Sequence, residues 1–118
     1  MRSTPQIEWT MAFQEDVAEV FHFLEYQYCS ESQKNKLWEK LNRTQEKLAL
    51  FPGVGILLDD REYTRAYRRV RMGSTYYIFY EVDAFAEKVI LILHRLLAQA
   101  RNYEVLIREA VAEYVDVD

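Results

Sequence analysis

YRRVRMGSTYYIFY, residues 67–80, predicts a β-hairpin, because two runs rich in aromatic and β-branched residues flank a Gly-Ser pair. A two-residue loop at Gly73-Ser74 pairs Arg71 with Tyr76 and Arg69 with Ile78. Side chains alternate along each strand, and one predicted face therefore carries Tyr67, Arg69, Arg71, Tyr76, Ile78 and Tyr80. The opposite face carries Arg68, Val70, Tyr77 and Phe79. A loop longer by one residue would shift the pairing and move the arginines relative to the rings.

A short strand and a helix are predicted before residue 30. Ile7, Trp9 and Met11 alternate with polar residues, which indicates a half-buried strand. From Asp16, the predicted N-cap, apolar residues follow at helical spacing as far as Tyr28. The first helix is therefore expected between these two residues.

A second helix is predicted from a capping box at Ser30 and Gln33. Its apolar stripe continues at helical spacing to Phe51, and Pro52-Gly53 ends it. The short loop between the two helices favours an antiparallel helical hairpin, whose joint apolar stripe requires a sheet to cover it. The conformation of the turn-rich segment 53–64 does not follow from its sequence.

Residues after the β-hairpin predict one more strand and a last helix. Val89–Leu93 is apolar without alternation, which is typical of a central strand covered on both faces, and it ends at His94-Arg95. Asn102 is placed to cap a helix whose apolar stripe runs from Tyr103 to Tyr114. The sequence thus predicts an α+β fold, with an N-terminal strand, a helical hairpin packed on a mainly antiparallel sheet, and a C-terminal helix.

Length and composition predict a single domain over residues 1–118. The chain has three glycines, two prolines and no low-complexity tract, which argues against linkers. Its longest apolar run is far too short to cross a bilayer, and no hydrophobic signal core follows Met1. We therefore expect a cytoplasmic protein with no membrane partner. A single cysteine, Cys29, excludes an intramolecular disulfide.

Charge is distributed unevenly along the chain. The formal net charge is −4. Residues 61–71 nevertheless hold five arginines and one glutamate, so that this stretch is strongly basic and the remainder is acidic. A basic patch can meet phosphate or an acidic protein segment, and the overall acidity favours a protein partner.

Four motifs, in this order, resemble the RelE/ParE superfamily of bacterial toxins. They are LFPGVG at residues 50–55, YRRV at 67–70 leading to Gly73, YIFYEV at 77–82, and ILHR at 92–95. The resemblance covers roughly residues 6–107 and implies the α+β fold given above. It also implies a small cytoplasmic toxin made beside an antitoxin, whose extended or helical segment wraps the sheet of the toxin. ParE-like members inhibit DNA gyrase, whereas RelE-like members cut messenger RNA on the ribosome.

Three features depart from the pattern of the superfamily. The chain is acidic where ribosome-dependent members are typically basic, and Leu96–Gln99 resembles an insertion before residues 100–102. The predicted C-terminal helix runs past the usual end, to Asp118.

The first candidate activity is RNA cleavage without a metal, which needs a base, an acid and cations around the phosphate. His94 is the candidate acid or base, and Arg69, Arg71 and Arg95 are candidate phosphate clamps. Tyr76 or Tyr80 would stack on a base. Each residue also has a structural interpretation, because a histidine at a strand end often makes an internal hydrogen bond and an arginine often covers a tyrosine ring.

The second candidate is a binding protein, which the sequence favours. In this interpretation a partner-binding face grips gyrase and is blocked by an acidic antitoxin, with carboxylates held by Arg65, Arg68, Arg69 and Arg71 beside Tyr76 and Tyr80. The chain is then no enzyme, and it is an endoribonuclease only in the RelE-like alternative. A further alternative is a non-toxic interaction protein with the same fold. No cofactor is predicted, and no metal site either, since Asp59-Asp60 has no third ligand at a suitable spacing.

Overall fold

A computed structural model describes residues 5–26, 30–58, 66–85 and 88–99. These residues form two helices, α1 (Met11–Tyr26) and α2 (Glu31–Leu50), and a short 3₁₀ helix at Pro52–Val54. The strands are β1 (Gln6–Trp9), β2 (Ile56–Leu57), β3 (Tyr67–Met72), β4 (Tyr76–Phe85) and β5 (Lys88–Ala98). They make one sheet in the order β1-β5-β4-β3-β2, in which only the β1–β5 pair is parallel. The predicted α+β class and mainly antiparallel sheet are confirmed.

The main core lies between the two helices and one face of the sheet. The helices contribute Phe13 and Val17 from α1 and Leu41 and Leu48 from α2. The sheet contributes alternate residues of three strands, namely Val70, Met72, Ile78, Tyr80, Leu91, Leu93 and Leu96. By alternation, Tyr67, Phe79 and Leu97 belong to the opposite face, where they form a second buried cluster. The central strands are thus buried on both faces, as the unbroken apolar run of β5 predicts.

The first strand ends, and the first helix begins, at earlier residues than the sequence pattern predicts. β1 ends at Trp9, and the helix begins at Met11, so the assignment of Met11 to a strand is wrong. Thr10 supplies the cap, because its Oγ1 accepts a hydrogen bond of 3.1 Å from the N–H of Phe13. The predicted cap, Asp16, instead lies within the helix and is buried.

The second helix follows its prediction closely. Ser30 Oγ accepts from the N–H of Gln33, while the Gln33 side chain accepts from the N–H of Ser30 at 2.8 Å. This capping box fixes the start of α2, and Pro52 follows its last residue, Leu50, closely. The buried side of the helix carries Leu41, Thr44 and Leu48. Local signals at both ends therefore determine this element.

The predicted register of the β-hairpin is wrong by one residue. Met72 pairs with Tyr76 and Arg71 with Tyr77, so the loop contains three residues, beginning with Gly73 at a φ of 65°. A one-residue shift moves every side chain of one strand to the other face relative to its partner strand. The observed register places Val70 and Met72 of β3 on the same side of the sheet as Ile78 and Tyr80 of β4, where the helices cover all four, which explains why it is favoured.

The last strand is longer than predicted. Leu96–Ala98 continue β5, so the residues that resemble an insertion extend the sheet and pair with Tyr76–Ile78. The pairing slips between Phe79 and Tyr80, which lie opposite Arg95 and Leu93, and His94 is the extra residue of this β-bulge. The predicted C-terminal helix, with Asn102 and Tyr114, lies outside the described residues.

Candidate functional site

Arg69 and Arg71 share one face of β3, on the side of the sheet opposite the helices. Tyr77 lies across from Arg71 in the register, and the Arg69 guanidinium carbon stands 4.8 Å from the centre of the Tyr77 ring. A cation over an aromatic face is held by the charge distribution of the ring. Arg71 is exposed. We call Arg69, Arg71 and Tyr77 together the arginine face. Its two arginines are the part of the predicted binding surface that the fold brings together.

Arg68 and Tyr80, both predicted to bind a partner, hold a loop of this chain instead. The Tyr80 hydroxyl donates to the carbonyl of Pro52 at 2.8 Å and accepts from the N–H of Gly55 at 2.9 Å. Nη1 of Arg68 donates to the carbonyls of Gly55 at 2.9 Å and Gly53 at 3.3 Å. We call this arrangement the loop clasp. It gives the Phe-Pro-Gly-Val-Gly motif a structural role, because three of its carbonyls and one N–H are satisfied by side chains of β3 and β4.

Burial affects the ionisation of the two predicted tyrosines. Desolvation raises the pKa of Tyr80 above its ordinary value of 10.0, while the hydrogen bond from Gly55 and the nearby charge of Arg68 oppose that rise. Desolvation also raises the pKa of Tyr76. Tyr80 is fully buried and Tyr76 packs partly against the main core, both on the helix side of the sheet. Neither shares the arginine face, contrary to the predicted face assignment.

His94 is buried at the β-bulge of β5, with only 1% of its surface exposed. Its Nε2 lies 3.2 Å from Oε1 of Glu81, and its ring meets the ring of Tyr67 edge to face at 4.9 Å. The sequence gives no signal for the Glu81 contact, because the pairing depends on the bulge. The hydrogen-bonded structural interpretation of a strand-end histidine fits this geometry.

Arg95 of β5 forms an ion pair with Asp16 of α1. Its Nε and Nη2 donate to the two carboxylate oxygens of Asp16 at 2.7 and 2.9 Å, and the N–H of Leu96 donates to Asp16 Oδ2 at 2.9 Å. The side chains of Arg95 and Asp16 are 14% and 8% exposed. This bidentate ion pair joins residues that are far apart in the sequence, and no local sequence pattern predicts it. The prediction that Asp16 caps the first helix is therefore wrong, because the residue lies within α1 and its carboxylate binds Arg95 and the N–H of Leu96.

Exposed apolar residues are frequent in residues 50–57, the segment that contains the loop clasp. They are Leu50, Phe51, Val54, Ile56 and Leu57, with 74%, 62%, 42%, 63% and 51% of their surface accessible. We call this set the apolar patch. Exposed apolar residues that lie together are typical of interaction sites, whereas isolated ones are ordinary.

Other site types find little support in the described part of the chain. Within residues 5–26, 30–58, 66–85 and 88–99, no three histidine, cysteine, aspartate or glutamate side chains are grouped as metal ligands would be. Among these same ranges, no helix has the length and apolar character needed to cross a membrane. Arg65 and Asp59-Asp60, on which predictions were made, lie outside the described residues.

Comparison with known proteins agrees with the motifs and the fold. No curated protein sequence matches the chain significantly. A solved structure described as a YoeB/ParE toxin from Agrobacterium tumefaciens is similar to it, with a TM-score of 0.56 and 15% sequence identity, over 80% of this chain and 98% of that one. The likeness shows a shared fold. Residues 7–103 match the family model described as the ParE toxin of the parDE type II toxin–antitoxin system, and the chain therefore belongs to the ParE toxin family.

Proposed function

We propose that this chain is a cytoplasmic toxin that inhibits DNA gyrase and is neutralised when its antitoxin covers the arginine face. The family places the protein among the toxins of type II toxin–antitoxin systems. Gyrase inhibition requires a surface that binds a protein, and it requires no acid–base residues within that surface.

One observation carries the choice of gyrase over RNA. Arg95, a candidate phosphate clamp, forms a nearly buried two-pronged pair with Asp16. Withdrawing its guanidinium to hold a phosphate would leave the Asp16 carboxylate and its charge without that pair, which costs several kcal/mol for a buried carboxylate, about 3–5 kcal/mol in measured cases. The geometry therefore favours a structural role for Arg95.

The position of His94 supports the same conclusion. A general acid or base must come within hydrogen-bond reach of the reacting oxygen, about 2.6–3.2 Å. The His94 ring is enclosed and directs Nε2 at Glu81. Access by an RNA 2′-hydroxyl would require the bulge to open, whereas a surface-binding mechanism requires no such movement.

The arginine face suits a protein partner. Arg71 is exposed and Arg69 is oriented by the Tyr77 ring, so the guanidinium of Arg69 is partly ordered before binding. Preorganised guanidinium groups bind carboxylates with two parallel hydrogen bonds at reduced entropic cost. An acidic segment of gyrase or of the antitoxin would meet this face, and competition for it would explain neutralisation.

The test uses purified toxin in two parallel assays. Gyrase is assayed by supercoiling of relaxed plasmid, and RNA cleavage is assayed on messenger RNA with translating ribosomes. Inhibited supercoiling with intact RNA supports the proposal. RNA cleavage with active gyrase would replace it with the RelE-like alternative. Neither effect, in a protein that still binds its antitoxin, would favour the non-toxic interaction protein.

A further inference from the structure

The face of the sheet opposite the helices is more deeply buried than an outer surface can be. Tyr67 and Phe79 have no exposed surface there, and only 1% of Leu97 is exposed. Ile92 lies between two helix-side leucines of β5, so alternation places it on this same second face, and only 5% of it is exposed. Neighbours within a sheet flank a side chain, but its outer end is buried only when a further layer packs against it. We call these four residues the second-face cluster.

The layer over the second-face cluster is supplied by this chain, because the burial is that of one chain by itself. Both helices of the described ranges pack on the other face, within the main core. Leu58 and Tyr77 are the described apolar side chains that pack against the cluster, and both are themselves only partly buried. They follow β2 and lie in β4, so they border the cluster within the sheet. The described residues therefore account for its border and not for its cover.

Residues 100–118 have the length and the apolar pattern of a covering segment. The helix predicted there carries an apolar stripe at Tyr103, Ile107, Ala110, Val111 and Tyr114. A helix over residues 102–115 would be about 21 Å long. The second-face cluster extends along β4 from the level of Tyr77 to that of Glu81, which is about 13 Å. The segment 59–65, by contrast, has seven residues of which five are charged, so it lacks the apolar surface for this task.

The chain leaves the sheet beside this face. The N–H of Gln99 donates to the carbonyl of Thr75 at 2.9 Å, and its Nε2 donates to the carbonyl of Tyr76 at 3.2 Å. Two residues earlier, Leu97 of the second-face cluster lies opposite Tyr77 of the arginine face in the register. The last described residue therefore lies close to both, and a segment that follows it has a short path onto the second face.

Charge favours the same placement. Residues 100–118 hold five carboxylate side chains and two arginines, a formal net charge of −3, and the three carboxylates of residues 113–118 have no cation among them. Arg69 and Arg71 lie on the face that the segment would cover, so its carboxylates and these guanidinium groups attract each other. Arg71 is exposed, and exposed ion pairs are weak, so another acidic partner can replace a carboxylate of the segment there.

We propose that residues 100–118 are an intramolecular cover for the second-face cluster, and that their carboxylates compete with acidic partners for the arginine face. The inference rests on the proposed function in that it takes the arginine face as the functional surface. It goes beyond that function because it makes the C-terminal segment of the toxin a regulator of access to this surface. The apparent affinity of a partner is lowered by the fraction of molecules whose arginines the segment occupies.

The first test detects the cover in the unmodified 118-residue chain. Nuclear Overhauser contacts are measured from the methyl groups of Leu97 and the ring of Phe79 to the methyl groups of residues 100–118. We expect contacts with Ile107 and Val111, which belong to the apolar stripe. Leu41, in the main core on the other face, is the internal reference and should show no contact with the segment. A mixture of labelled and unlabelled toxin distinguishes contacts within one chain from contacts between two chains.

The second test measures competition with two charge-matched variants. The segment variant, which keeps the apolar stripe, carries Glu113→Gln, Asp116→Asn and Asp118→Asn. The helix variant, which loses the same charge from exposed positions, carries Glu15→Gln, Glu19→Gln and Glu46→Gln. The probe is a fluorescent hexaglutamate peptide, and circular dichroism melting checks that each variant is folded. The dissociation constant of the probe should be at least about threefold lower for the segment variant than for the helix variant, and the difference should shrink as the salt concentration rises.

The outcomes separate this inference from gyrase inhibition, because both tests use the toxin without gyrase. Absence of contacts between the segment and the second-face cluster overturns the cover even if the toxin inhibits supercoiling. Contacts that occur only between two chains would assign the cover to a second copy and likewise overturn it. Equal probe affinities of the two variants, or no binding by either, overturn the competition. Contacts within one chain together with tighter binding by the segment variant support the inference even where the supercoiling assay shows no inhibition.

Discussion

At the scale of single residues, the loop clasp requires a glycine at position 55, because Tyr80 and the backbone of Arg69 lie very close to it. A Cβ placed on Gly55 would lie 2.6 Å from the Tyr80 hydroxyl oxygen and 2.8 Å from the Arg69 carbonyl oxygen. Its φ of −70° is accessible to any residue, so space and not backbone conformation requires glycine there. Gly53, two residues earlier, has no heavy atom within 4 Å of the same position.

Gly55→Ala should therefore destabilise the protein by about 1–3 kcal/mol, because either Tyr80 or the backbone of β3 must shift. Gly53→Ala is the control, and it should leave stability unchanged or raise it by up to about 1 kcal/mol through lower entropy of the unfolded chain. Urea denaturation measures both free energies of unfolding. Equal effects of the two substitutions would show that the clasp is not closely packed around Gly55.

Tyr80→Phe removes the two hydrogen bonds of the hydroxyl and should cost about 1–3 kcal/mol, since the Gly55 N–H and the Pro52 carbonyl lose their partner. The difference in unfolding free energy between wild type and Tyr80→Phe should depend on pH. Burial raises the pKa of folded Tyr80 above 10.0, so wild-type stability is full below that pH and falls as the pH rises through the folded pKa. Unfolding free energies of both proteins, measured between about pH 9 and about pH 11, should converge as the pH rises. A constant difference would contradict this role of the hydroxyl.

At the scale of elements, the ends of α2 were predictable and the register of the β-hairpin was not. Ser30, Gln33 and Pro52 act on the backbone within a few residues of themselves, so their effect can be deduced from the sequence alone. The register depends on which side chains the helices bury, and the local Gly-Ser signal favours a shorter loop than the observed one. The same limit applies to the candidate site. Arg69 and Arg71 do share a face, but the contacts of Arg95 and His94 depend on α1 and on the bulge.

The pair between Asp16 and Arg95 joins α1 to β5, and Asp16→Ala should break that connection. The substitution leaves the Arg95 guanidinium and the Leu96 N–H without the carboxylate, in a nearly buried position, and should cost about 3–5 kcal/mol. Glu39→Ala is the control, because Glu39 pairs with Arg43 at 3.9 Å on the exposed side of α2 and should cost less than about 1 kcal/mol. Chemical denaturation gives both values, and a small loss for Asp16→Ala would reopen a functional role for Arg95.

At the scale of the whole molecule, the two faces of the sheet carry different kinds of residue. The helix side holds the main core, and it contains Tyr76 and Tyr80, which the sequence assigned to a binding face. The opposite side carries the arginine face beside a smaller buried cluster. Two residues of the apolar patch, Ile56 and Leu57, form β2, which ends the described sheet. The residues of the main core are therefore largely distinct from those of the proposed binding face, and substitutions can test the two separately.

Joint replacement of Arg69 and Arg71 by Ala should abolish function while sparing the fold. Neither arginine lies in the main core, and the stacking of Arg69 on Tyr77 contributes only about 0.5–1 kcal/mol, so the melting transition should change little. If an acidic surface of gyrase meets this face, the toxin concentration that half-inhibits supercoiling should rise at least about tenfold, and antitoxin affinity should fall as well. Replacing Lys36 and Lys88 by Ala removes the same charge from exposed positions and should leave both activities near wild type. A doubly substituted protein that still inhibits gyrase and still binds the antitoxin would show that the arginine face is not the functional surface.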